Sequence, residues 1–132
     1  MTGAPPPIER LTKRPDFLAC AQAHSLARGA LVVQRRDRED GRDLVRAGFT
    51  ATKRIGGAVV RNRAKRRMRE AARLLLPAYA QPGCDYVFIA RGGVTTRPWA
   101  RLLDDMKSAL IRLAPESDRR AREFAPAPPP SA

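Results

Sequence analysis

Residues 53–76 read KRIGGAVVRNRAKRRMREAARLLL. Wound as an α-helix from Gly57 at roughly 100° per residue, this stretch puts Val60, Ala64, Met68, Ala71 and Leu75 on one stripe, with Asn62, Lys65, Arg66, Arg69 and Arg73 on the opposite arc. The stripe can dock on a core while the arc stands in solvent. Nine Lys and Arg face one acid, Glu70, so the segment carries +8 of the chain's formal +13. Arg61, Lys65, Arg69 and Arg73 recur every four residues, and like charges at that spacing repel by a few tenths of a kcal/mol per pair. A purely structural helix would intersperse acids. A fixed row of cations follows a phosphodiester backbone and releases its condensed counterions, so the helix predicts a polyanionic partner.

Working outward, strand-like runs flank this helix. Residues 44–52 alternate Ala47, Phe49 and Ala51 with Gly48, Thr50 and Thr52. Before them, LVVQR at residues 31–35 reads as a first strand, joined through the charged, turn-prone RDREDGRD at residues 36–43, and the two strands are expected to pair antiparallel. After the helix, Pro77 and the QPG at residues 81–83 break the chain before YVFIA at residues 86–90. That run is apolar on both faces and belongs inside a sheet. Pro15 opens a short first helix with Phe17, Leu18 and Ala21 on one side, expected to end near Gly29. Pro98 opens a last one in which Trp99, Leu102, Leu103, Met106, Leu110 and Leu113 form a core stripe until Pro115. The order αββαβα predicts an α+β sandwich: a small sheet with helices on it, without internal repeats.

The chain's 132 residues allow one domain of about a hundred residues, placed at 9–114, between a disordered N-terminus (1–8) and a Pro/Ala-rich disordered tail (115–132). A sequence pI near 11.4 favours RNA, DNA or an anionic membrane surface. Membrane is the weakest of these. No apolar run approaches the roughly 18 residues needed to span a bilayer, and the first residues do not resemble a signal peptide, so a cytoplasmic protein is expected. Cys20 and Cys84 fit that compartment as small core residues, with no spacing for zinc.

Arg61-Asn62-Arg63 followed by Lys65-Arg66 and Arg69, opened by TKRIGGAVV, resembles the signature of the bacterial ribonuclease P protein family. ERLTKRPDF at residues 9–17 looks like that family's first helix, VRAGFTATKR its second strand, and DYVFIARGG its last strand and exit loop. The resemblance implies a small αββαβα two-layer sandwich with a left-handed βαβ crossover, a ribosomal-protein-like RNA-binding fold. It implies a noncatalytic, monomeric subunit bound 1:1 to a catalytic RNA that removes the 5′ leader from precursor tRNA, with Mg2+ required by the assembled, RNA-bearing enzyme. Carried over residue by residue, it makes Arg61, Asn62, Arg63, Lys65, Arg66, Arg69 and Arg73 the RNA-binding set, extended by Lys53 and Arg54 just before the helix. Arg offers a planar fork to phosphate, Lys a mobile point charge, and the Asn amide both a donor and an acceptor. Gly56 and Gly57 allow a tight strand-to-helix turn that leaves amides open to phosphate.

The family also holds the single-stranded leader in a cleft on its sheet beside the first helix, where aromatic side chains stack on bases. Phe17 matches one of those aromatics, and Gln34 or Arg35 stands where the first strand often ends in Tyr. Ala21 replaces a second frequent aromatic, and Gly57 an Asn. Arg67 sits at the apolar edge of the wheel and reads as a snorkelling structural residue. His24 has no nucleophile or carboxylate constellation beside it, and Asp37, Glu39, Asp40 and Asp43 read as local charge balance rather than metal ligands, so neither catalytic nor metal-binding residues are assigned. Two other readings keep the RNA face: a structural RNA-binding protein such as a ribosomal one, and a self-sufficient protein nuclease, which lacks a credible constellation.

Overall fold

The structure, a computed structural model, describes residues 6–115. Its elements are β1 (Ile8–Arg10), α1 (Arg14–Ala21), β2 (His24–Arg28), β3 (Leu31–Asp37), β4 (Val45–Thr50), a 3-10 turn (Lys53–Ile55), α2 (Ala58–Tyr79), β5 (Cys84–Ala90) and α3 (Trp99–Leu113). The five strands lie in the order β1-β4-β5-β3-β2. The expected αββαβα order is present, with two short edge strands added.

β5 occupies the centre, as its two-sided apolarity requires, parallel to β4 and antiparallel to β3. β3 and β4 therefore do not pair with each other; β5 enters between them after the α2 crossover. Strand alternation divides the sheet. Leu31, Val33, Val45, Ala47, Tyr86 and Phe88 face the main core, covered by α2 and α3. α1 lies on the opposite face, where Leu11, Cys20 and Val87 are buried and Phe17 and Ile89 pack partly against them.

Four local expectations need correction. The first helix stops at Ala21, and residues 24–28 form β2 instead, because Gly29 (φ 55°) opens a two-residue hairpin turn to β3 rather than capping a helix. A side chain at Gly29 would collide with the Asp105 carboxylate, which accepts bonds from Ala30 N–H (3.2 Å) and Arg97 Nε (2.6 Å). Residues 9–10 belong to a strand, not the first helix, and Ile8, placed in the disordered N-terminus, pairs with Val45 across β1 and β4. The remaining terminal residues, 1–5 and 116–132, lie outside the described set. α2 runs through Pro77 to Tyr79; the missing proline N–H costs one bond, to a carbonyl on the exposed Arg73 side of the last turns. Trp99 is 36 % exposed and lies under the Arg67 guanidinium (5.5 Å) instead of joining the core.

Both cysteines are buried and free, as expected. Burial, reinforced by the nearby Asp85 charge, pushes the Cys20 thiol up to about 12; burial likewise raises Cys84. Both therefore stay protonated and unreactive at neutral pH.

Candidate nucleic-acid interface

The first turn of α2 is shaped by its glycines. Gly56 sits at φ 143° and ψ −169°, a conformation essentially restricted to glycine, whereas Gly57 has ordinary extended dihedrals and open space around its Cα. No side chain caps the helix at Gly57, so its leading amides keep their donors. Lys53 and Arg54 stand exposed just before it.

Ala64, Met68, Ala71, Ala72 and Leu76 are the buried stripe. Ala72 and Leu76 shift this stripe around the axis relative to the expected one. Arg61 and Lys65 consequently sit at its flank, half-buried, while Asn62, Arg63, Arg66 and Arg69 form the open arc. Arg61 Nε is buried without a hydrogen-bond partner. Arg73, also exposed, is ion-paired with Glu70, so it contributes less free charge than its position suggested. Among the described residues, no carboxylate lies within 4.0 Å of the cationic groups of Lys65, Arg66 or Arg69. Val59, Asn62, Arg63 and Arg66 line a surface hollow of about 260 Å³. Arg67 is structural: it donates to Val94 O (2.6 Å).

The arginines on the α1 face of the sheet behave differently. Asp85, fully buried in β5, accepts two bonds from Arg46 (both 2.8 Å) and one from Arg38 (2.8 Å), with Arg36 at 3.5 Å. Asp16 on α1 adds contacts to Arg36 (3.5 Å) and Arg46 (3.2 Å). The charged loop before β4 is thus anchored to the sheet, beyond its local Arg38–Asp40 pair (2.9 Å). Sequence reading missed this hub; its one signal is the lone acid in an otherwise apolar strand.

Beside the hub lies the α1 face of the sheet, where Phe17 and Gln34 of the expected leader set fall. Phe17 seats its ring on Gly48, where an added Cβ would lie 2.6 Å from the ring edge. Gln34 follows Val32 along β3 on the same face, with Ile89 on β5 paired to Val32. Arg35 does not share this face. One step along β3 it points to the opposite face, 6 % exposed, and donates to the Cys84 thiol sulfur (3.6 Å). Among the described residues, no group of three or more His, Cys, Asp or Glu could hold a metal ion, and no helix is long and apolar enough to cross a membrane.

The fold and this face define a small, strongly basic α+β domain whose longest helix carries an exposed row of cations, Arg66 and Arg69 among them without an acid partner among the described residues. The family model for ribonuclease P matches residues 6–114. The chain is 68 % identical over 112 residues to the ribonuclease P protein component of Caulobacter vibrioides, covering 85 % of this chain and 75 % of that protein. It is 51 % identical over 108 residues to the one from Ruegeria pomeroyi, covering 80 % and 86 %. Among solved structures, the RNase P protein from Thermotoga maritima superposes with a TM-score of 0.68 at 28 % identity, covering 80 % of this chain and 98 % of that one. The Staphylococcus aureus RNase P protein gives 0.65 at 25 %, covering 76 % and 91 %. This chain belongs to the ribonuclease P protein family, the protein subunit of a tRNA-processing endoribonuclease, and membership implies the ribonuclease P RNA as partner.

Proposed function

We propose that α2 and the turn before it seat this chain, as a single copy, on the catalytic RNA of ribonuclease P, while the cleft beside α1 receives the 5′ leader of precursor tRNA. The contrast between the two charged faces carries this reading. Arginines under α1 are matched to Asp85 and Asp16, whereas Arg66 and Arg69 on α2 have no acid of their own among the described residues. Asn62, Arg63, Arg66 and Arg69 form the front row, Lys53 and Arg54 extend it, and Arg61 and Lys65 reach RNA from its flank. Arg73 contributes when RNA displaces Glu70. In the cleft, Phe17 stacks on a leader base and Gln34 hydrogen-bonds a base edge or 2′-hydroxyl. Arg35 has no part in it. The RNA carries the chemistry and the magnesium, and the site of action is the cytoplasm.

Reconstitution with the cognate catalytic RNA tests this. Arg69→Ala is expected to weaken assembly about fivefold, the equivalent of about 1 kcal/mol. Phe17→Ala should lower affinity for leader-bearing precursor tRNA by about fivefold or more and leave mature tRNA unaffected; equal loss on both ligands removes the cleft from the mechanism. A purely structural RNA-binding protein would not lower the magnesium the RNA needs for cleavage, and this subunit should.

A further inference from the structure

On the sheet face opposite the leader cleft, a groove of about 500 Å³ runs between the edge strand β1 and α2. Its floor is Ala47, Phe49 and Leu76, Ile8 forms one wall, and Arg66 and Arg69 stand on its rim. The volume falls within the range of small-molecule clefts, roughly 300–1,000 Å³. One part of the Phe49 ring is covered by Phe88 (centroids 5.5 Å apart); the half-buried remainder lines the groove.

Apolar floor and cationic rim belong to different ligand chemistries unless one ligand carries both. A nucleotide does: its base has an apolar π-face and its phosphate a charge, and every base can stack on an aromatic ring. Glu70, also lining the groove, is held by Arg73, and Glu9 on β1 is the other acid there, so Arg66 and Arg69 remain free to take the phosphate. We infer that this groove takes one unstacked nucleotide of the catalytic RNA, its base on Phe49 and its phosphate between Arg66 and Arg69. The inference rests on the reading of α2 as the RNA-facing helix and gives that helix a base-holding subsite beyond a row of phosphate contacts.

The test uses the full chain and the intact catalytic RNA. Phe49→Leu keeps an apolar side chain on Phe88 but removes the π-face; Ile8→Trp fills the groove from a wall that is already 38 % exposed. Each variant is compared with Arg69→Ala in Kd at fixed salt and in the slope of log Kd against log salt, after thermal melts confirm that the free proteins are folded. Both groove variants should weaken binding about fivefold to tenfold; Phe49→Leu should leave the slope unchanged, because a stacked base releases no counterion, whereas Ile8→Trp, which expels the nucleotide with its phosphate, should flatten it toward that of Arg69→Ala. Chemical probing of the RNA should show one unpaired nucleotide protected by wild type and released by Phe49→Leu. Kd within twofold for both groove variants, with Arg69→Ala still weakening binding and flattening the slope, overturns the groove and leaves the RNA face standing. No effect of Arg69→Ala either would overturn the RNA face itself.

Discussion

Single residues decide which face of the sheet does what. Phe17 can approach the sheet closely because position 48 is glycine, and the edge of its ring takes the volume a Cβ would fill. Gly48→Ala should therefore swing the half-buried ring outward. The free protein should lose about 1–3 kcal/mol, since the ring gives up part of its packing against Leu11, Cys20 and Val87. Leader affinity should fall as far as in Phe17→Ala, measured by competition between leader-bearing precursor and mature tRNA. Unchanged discrimination would mean that the ring has no contact with the leader. Gln34 and Arg35 illustrate how far such assignments reach from sequence: resemblance located the end of the strand, but only the register with β5, pairing Gln34 with Val87 and Arg35 with Tyr86, decides which side chain shares the Phe17 face. The Asp85 hub was equally illegible, since the arginines that meet there come from β3, the following loop and β4.

Elements were legible where their own periodicity is strong. α2, α3 and the central strand β5 follow from apolar spacing, because each buries enough surface for the pattern to register. β2 was not legible: in HSLAR only Leu26 turns partly inward, so this edge strand carries almost no alternation. The insertion of β5 between β3 and β4 is a long-range choice that no local window contains. The turn into α2 gives an element-scale prediction. The two adjacent glycines look alike in sequence, but the backbone requires glycine only at 56. Gly56→Ala, strained and crowding Val60 Cβ at 2.9 Å, should destabilise the protein by about 1–3 kcal/mol. Gly57→Asn should be neutral or stabilise by a few tenths of a kcal/mol through capping. Urea denaturation of the two variants distinguishes them; equal losses would mean that the turn is not fixed by Gly56.

At the scale of the whole molecule, the positive charge is segregated: acids neutralise the arginines that fasten the sheet, and α2 is left with Glu70 alone. The same cations then act in opposite directions on folding and on binding. In the free chain, Arg61, Lys65 and Arg69 repel along the helix, and salt should screen that repulsion. On the RNA they replace counterions, and salt should weaken the complex. Raising monovalent salt from about 50 to 200 mM should accordingly raise the Tm of the free protein while lowering RNA affinity by roughly a thousandfold, the scale expected for six to ten neutralised phosphates. Arg69→Glu carries the argument to its sharpest form. An acid at 69 stands four residues from both Lys65 and Arg73, so two repulsive spacings become attractive, and the free protein should gain a few tenths to about 1 kcal/mol. RNA affinity should fall further than in Arg69→Ala. A variant that gained stability without losing RNA affinity would show that the row on α2 is kept for some purpose other than the ribozyme, whereas the paired outcome would show a helix held below its own stability optimum by the surface it has to meet.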